Sequence, residues 1–276
     1  MEISEKIISR KRVKLAFLGD SVTYGAFGPR PNDPNDEVDQ EAAYPNRLKI
    51  MILAKYPEAS IDIINAGISG NMAGMGLYRM KADVLDKKPD FCCVNFALND
   101  VLTYILEDDS IGEKALEGLL GQMVDGADSE YLKLIKQCKP KEAYTGAMSR
   151  IFEELQAHDI ETVLLTPNYL NTQPYESINP QMTHFASITA KLMNDGTFDS
   201  LVESEKNVAR LYDIPIADGY AKWKKMREMG EDTDKLLANG INHPTKEMHW
   251  LFAEVLYETI FGEEFDSEML DVLKKT

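Results

Sequence analysis

Four residues of types that carry acyl-transfer chemistry stand at turns beside regular elements: Ser21, Gly70, Asn99 and His243. Ser21 closes Gly19-Asp20-Ser21, between an apolar run and a helix-like segment. A serine hydroxyl attacks a carbonyl only when a base takes its proton and hydrogen-bond donors receive the oxyanion. The same tripeptide also makes an ordinary helix N-cap, because Asp and Ser side chains accept the orphan N–H groups of a first turn. His243, in the late loop Asn239-Gly240-Ile241-Asn242-His243-Pro244, is a candidate base, or a loop histidine capping the next helix. Gly70 lets a backbone N–H approach a substrate oxygen closely, or serves a left-handed turn. Asn99 can aim its amide at the same oxygen, or cap a strand-to-helix turn.

These residues need elements that bring them together. Short apolar runs at Val13 to Leu18, Ile61 to Ile64, Phe91 to Phe96, Thr162 to Leu165 and Ile214 to Ala217 lack alternation, as expected of strands buried on both faces of a parallel sheet. Helical patterns lie between them. Tyr44 to Tyr56 follows an early Pro45; Ser200 and Glu203 have capping-box spacing ahead of Val208, Leu211 and Tyr212; Met248, Leu251, Phe252, Val255, Leu256 and Ile260 form one apolar face. Strands alternating with helices predict an α/β three-layer fold with right-handed crossovers. In such a sheet the carboxyl ends of the strands border one crevice. Ser21, Gly70-Asn71, Asn99-Asp100, Asn168 and the 239–244 loop all fall there. Two long stretches, about 101–160 and 168–213, read as mostly helical insertions in a single domain spanning 1–276.

Composition narrows the classes. The 276 residues carry 30 Lys and Arg against 46 Asp and Glu, a formal charge of −16, which repels nucleic acid and anionic membrane surfaces. A hydrophobic content of 44% excludes wholesale disorder. Cys92, Cys93 and Cys138 make neither a disulfide framework nor a zinc or redox pair, and read as buried free thiols of a reducing compartment. No apolar stretch reaches the roughly 18 residues of a membrane span, and the N-terminal run is broken by Lys14, so a cytoplasmic location is expected. Segment 28–40, rich in Pro and Asp, lacks the spacing of a calcium loop and reads as a solvated surface loop. HExxH, GxGxxG and GxxxxGK[ST] are all absent, so neither a metal nor a cofactor is expected.

Together, Gly19-Asp20-Ser21-Val22, Ile68-Ser69-Gly70-Asn71, Asn99-Asp100 and His243-Pro244 resemble, in order, the four sequence blocks of the SGNH (GDSL) hydrolase superfamily. Ala43-Tyr44-Pro45 and the His243 to His249 spacing are similar to further family segments. The resemblance implies a flavodoxin-like α/β/α sandwich with a mostly parallel five-stranded sheet and helical insertions. It implies Ser21 as nucleophile and His243 as base and later acid. The N–H groups of Ser21 and Gly70 and the Asn99 amide would form the oxyanion hole. His249 is assigned to helix packing, and His158 and His184 to no role.

The chain departs from the family pattern twice. Ala97 occupies a glycine place, where its methyl would narrow the floor of the site. Gly240 stands where the family has its triad acid, three residues before His243. Three accounts follow: a backbone carbonyl near Gly240 holds the ring in a Ser–His dyad; Asp232, Asp234 or Asp218 reaches in; or catalysis is weak or lost. The expected function is hydrolysis of a small soluble ester such as an O-acetylated carbohydrate, with a homo-oligomer left open as its assembly. The competing readings are a non-catalytic binding protein on the same scaffold, a short-chain lipase or thioesterase, and, from the glycines at 67–76, a nucleotide-dependent enzyme.

Overall fold

The computed structural model describes residues 1–29, 35, 37–107, 139–176 and 180–275. Cys138 and the stretch 108–138 of the first expected insertion lie outside the described residues. Five strands form one sheet: β1 (Arg12–Gly19), β2 (Ser60–Gly67), β3 (Phe91–Asn95), β4 (Glu161–Leu165) and β5 (Ile216–Ala217). Their order is β2-β1-β3-β4-β5, and every neighbouring pair is parallel. Each arises from one of the apolar runs. From Leu15 to Leu18, β1 is fully buried, and all of β3 is buried, Cys92 and Cys93 with it as free thiols.

The helices are α1 (Glu2–Ile8), α2 (Ser21–Tyr24), α3 (Tyr44–Lys55), α4 (Ala73–Asp83), α5 (Pro140–Ala157), α6 (Pro180–Asn194), α7 (Thr197–Leu211), α8 (Gly219–Glu228), α9 (Met248–Phe261) and α10 (Ser267–Leu273). α3 and α9 pack on each other, joined by α1, α8 and α10; α4, α5 and α7 form the second layer, with α6 against α7. The result is the expected three-layer α/β/α arrangement. α5 lies in the first expected insertion, and α6 and α7 in the second.

Two boundaries differ from the sequence expectation. β5 is only two residues long, because Ile214 donates its N–H to Ala209 in closing α7 and Pro215 has no N–H for the ladder. Ser200 does not cap α7, which starts at Thr197. Gly196, at φ +81°, turns the chain out of α6, and the Asp195 carboxylate receives the Thr197 N–H at 2.9 Å. An earlier Asx turn thus supersedes the capping box.

The ladder aligns Gly19 with Gly67 on one side and with Asn95 on the other, so three strands end level at the carboxyl edge. Gly67 is demanded by close approach. A Cβ there would lie 2.3 Å from the Tyr24 nitrogen and 2.7 Å from the Thr23 carbonyl carbon, both backbone atoms of or beside α2. Gly67→Ala is therefore expected to destabilise the protein by about 1–3 kcal/mol, lowering the thermal midpoint by roughly 2–4 °C per kcal/mol. Circular dichroism melting of the variant against the parent checks this; an unchanged midpoint would show that α2 moves freely.

Candidate active site

The first turn beyond β1 carries Ser21. Asp20 caps α2 by accepting the Val22 N–H at 2.9 Å, and Gly25, at φ +92°, ends the helix after four residues. The capping and nucleophile readings of Gly-Asp-Ser are thus compatible: Asp20 is the cap, which leaves the Ser21 hydroxyl available. Ser21 Oγ lies 2.9 Å from His243 Nε2.

His243 is held by its own loop and by a distant one. Asn239 Oδ1 accepts the N–H groups of Ile241, Asn242 and His243 at 3.0, 2.9 and 2.9 Å. Asn239 Nδ2 donates to Asn242 Oδ1, and Asn168 Nδ2 donates to the Asn242 carbonyl. Around the ring, Nδ1 lies 2.8 Å from the carbonyl oxygen of Gly28. A carbonyl only accepts, so Nδ1 carries the proton, and Nε2 is left as the acceptor that faces the Ser21 hydroxyl.

A backbone carbonyl therefore orients the ring, but it belongs to Gly28 and not to the neighbourhood of Gly240. The three candidate acids are engaged elsewhere: Asp232 pairs with Lys235, Asp234 accepts from Thr172 and Gln173, and Asp218 caps α8 and pairs with Lys206. Gly28 reaches His243 through a braced segment. Phe27 N–H donates to the Glu37 carbonyl, Ala26 bridges to Val38, and Lys246 pairs with Glu37 and Asp39 at 2.9 and 2.7 Å. Lys246 follows His243 by three residues, so one cation ties the base's loop to the segment that steadies the base.

The glycine and asparagine turns meet beside Ser21. Ile68 N–H donates to the Gly19 carbonyl, Gly70 adopts φ +77°, and Asn99 Nδ2 donates to the Asn71 carbonyl at 3.0 Å. One amide hydrogen of Asn99 remains for another acceptor. Among the described residues, the backbone N–H groups of Ser21 and Gly70 meet no acceptor. Three donors and a hydroxyl thus lie on turns at one edge of the sheet, groups of the kinds that receive a carbonyl and the oxyanion formed from it.

Electrostatics keep this centre low in charge. Burial lowers the pKa of His243 to about 4, against the small raising effect of the Gly28 carbonyl. Asp20 is fully buried, and burial pushes it up to about 7, with further help from Asp100. Asp100, likewise pushed up to about 7 by burial, accepts the N–H groups of Ala73 and Ala97 at 2.9 and 3.2 Å. His249 is wholly buried, accepts the Tyr44 N–H at 3.0 Å and stacks on Tyr44, a packing role as expected. His158 sits at the exposed end of α5, bonded to the Glu154 carbonyl, and His184 lies in α6.

A model of the GDSL-like lipase/acylhydrolase family matches residues 17–251. The chain belongs to this family. By class it is a carboxylic ester hydrolase. A curated acetylxylan esterase of Geobacillus stearothermophilus is 34% identical over 88 residues, 32% of this chain and 40% of that relative. The chain is also similar to the crystal structure of an acetylxylan esterase from that species, with a TM-score of 0.62 at 21% identity over 92% of this chain and 97% of the other. A two-domain esterase active on acetylated mannans matches with a TM-score of 0.56 at 19% identity, over 95% of this chain and 52% of its own length. No helix among the described residues is long and apolar enough to cross a membrane.

Sequence reasoning missed Gly28, whose contribution is a backbone atom, and misjudged Ala97. Ala97 has φ +90°, a conformation that glycine adopts without strain and alanine does not. Ala97→Gly should raise stability by about 0.5–1 kcal/mol, or roughly 1–4 °C in a thermal melt; a lowered midpoint would mean that packing of the methyl outweighs the strain. A second expectation concerns the base. Imidazolium cannot accept the serine proton, so activity is lost as pH falls through the pKa of His243. Because that pKa lies near 4 and not near 6.5, the His243 ring resonances should titrate below pH 5, with the acid limb of kcat/KM following them. Titration of this ring near 6.5 would contradict a setting in which the Gly28 carbonyl, and no carboxylate among the described residues, meets Nδ1.

Proposed function

We propose that the protein removes acetyl groups from small soluble carbohydrate esters through a Ser21–His243 dyad and an acyl-enzyme. The observation that carries this reading is the continuous chain Gly28 carbonyl, His243 Nδ1, His243 Nε2, Ser21 Oγ, with links of 2.8 and 2.9 Å. His243 Nε2 takes the hydroxyl proton as Ser21 Oγ attacks the ester carbon. The oxyanion settles on the N–H groups of Ser21 and Gly70 and the amide of Asn99. Collapse of the tetrahedral intermediate breaks the bond to the alcohol, which leaves with the proton from His243. Water, deprotonated by the same nitrogen, then attacks the acetyl-serine; collapse breaks the acyl–Oγ bond, Ser21 Oγ takes the proton back from His243, and acetate is released.

Lack of a triad acid changes the energetics without removing the route. Replacing the triad Asp by Asn in the serine-protease case costs about 10⁴ in rate, chiefly by presenting the wrong tautomer. Here the Gly28 carbonyl preserves the right tautomer, so the deficit is limited to weaker stabilisation of the imidazolium. This weighs against the non-catalytic reading that Gly240 invites. The acetyl preference draws on the acetylxylan esterases and the acetylated-mannan esterase that the chain resembles.

Ser21→Ala and His243→Ala should each lower kcat by on the order of 10⁴-fold or more, and a fluorophosphonate should label the parent at Ser21. Among p-nitrophenyl esters, acetate should exceed butyrate and octanoate in kcat/KM. Preference for octanoate would replace the acetyl reading with a lipase or thioesterase; absence of labelling would favour a binding protein.

A further inference from the structure

Arg79, on the second turn of α4, takes no part in the four sequence blocks, yet its guanidinium touches two of the turns that form the site. Nη2 donates to the Gly19 carbonyl at 2.9 Å, Nε donates to Asn71 Oδ1 at 2.7 Å, and Nη1 pairs with Asp83 at 2.8 Å. Its side chain retains only 14% exposure. Gly19 is the last residue of β1 and lies two before Ser21. Asn71 follows Gly70, and its carbonyl receives the Asn99 amide.

We propose that Arg79 is a positioning residue for the oxyanion hole: one planar cation fixes the separation between the turn that carries the Ser21 N–H and the turn that carries the Gly70 N–H. Through the Asn71 carbonyl it also fixes the direction in which the Asn99 amide points. Nothing in this role touches substrate. A guanidinium suits it because its donors diverge in one rigid plane, whereas an ammonium is a single point donor on a flexible stem. Asp83 pairs with the guanidinium from the far side and holds neither turn, while the two turn contacts alone fix its plane. The Gly19 carbonyl also accepts the Ile68 N–H at 3.2 Å, so loss of Arg79 leaves the two turns held by that bond and by the β1–β2 ladder behind it. Donors displaced by a fraction of an ångström lose much of their advantage, since even a 1 Å misplacement near a reacting centre costs on the order of 10²-fold.

The inference rests on the Ser21 and His243 reading, and the test separates the two. Steady-state kinetics on p-nitrophenyl acetate are measured for Arg79→Ala, Arg79→Lys, Asp83→Ala and Ser21→Ala, well below each melting midpoint. Arg79→Ala should lower kcat by about 10–100-fold with KM within about twofold of the parent. It should weaken inhibition by a trifluoromethyl ketone, whose adduct places an oxyanion in the hole, by a matching factor. Arg79→Lys should fall between Arg79→Ala and the parent, and Asp83→Ala should stay within about threefold of the parent in kcat.

A merely structural Arg79 would lower the melting midpoint and leave kcat and inhibitor affinity unchanged; that result overturns the proposal, as does a loss confined to KM. If Arg79→Ala does not fold, Arg79→Lys decides by the same criteria. An active Ser21→Ala would instead overturn the nucleophile assignment, while an inactive Ser21→Ala beside a fully active Arg79→Ala removes the Arg79 role alone.

Discussion

A neutral imidazole that donates through one nitrogen to the Gly28 carbonyl and accepts through the other from Ser21 is the contact on which the rest of the site depends. It joins the turn after β1, the segment beyond α2 and the loop before α9, which are more than 200 residues apart at their extremes. The loop before α9 owes its shape to Asn239, whose side-chain oxygen gathers three successive N–H groups, the last of them from His243 itself. Lys246 then braces the Gly28 segment through Glu37 and Asp39. The His243 ring is thus placed from both sides by hydrogen bonds and an ion pair, and among the described residues no carboxylate is hydrogen-bonded to it.

That arrangement has a chemical consequence. A carboxylate behind a histidine raises its basicity and stabilises the imidazolium formed in the transition state; a carbonyl dipole does the second only in part. Burial shifts His243 further toward a weak base with a pKa near 4. Such a ring is neutral, and therefore competent to accept a proton, over the whole physiological range. On the proposed route, more of the work of lowering the barrier then falls on the donors that meet the oxyanion, where each is worth about 10²–10³-fold. This is why geometry behind the donors, such as the grip of Arg79 on two turns, bears on rate and not only on stability.

Much of this was legible in the chain. Short, mainly apolar runs without alternation marked all five strands, and polar residues after each run marked the carboxyl edge where Ser21, Gly70 and Asn99 stand. The limits have physical reasons. Gly28 contributes a carbonyl, which every residue possesses, so no residue type announces it. Ser200 matched a capping box, but Asp195-Gly196 offered the helix an earlier start. Ile214 continued an apolar run, but Pro215 removed a ladder donor and Ile214 was drawn into the end of α7. Asn239 stands in the sequence only as one residue of the late loop; the tendency of Asn to bond backbone N–H groups in turns is the signal that marks its role. Arg79 stands among Gly, Met and Leu residues on a helix that packs against the sheet, and a lone cation on such a face is the cue that marks it.

The chain carries a formal charge of −16, and burial works against charge in its candidate site. His243 is uncharged, and Asp20 and Asp100 are held by burial at the edge of ionisation; the cation nearest to Asp20 is already committed to Asp83 and two turns. On the proposed route, negative charge grows on the substrate when its carbonyl becomes an oxyanion, and amide donors in a poorly solvated setting then act at close to full strength. Binding energy is thereby concentrated on the species that forms during reaction. The surface charge serves solubility, and the interior suppresses it where the chemistry requires a dipole.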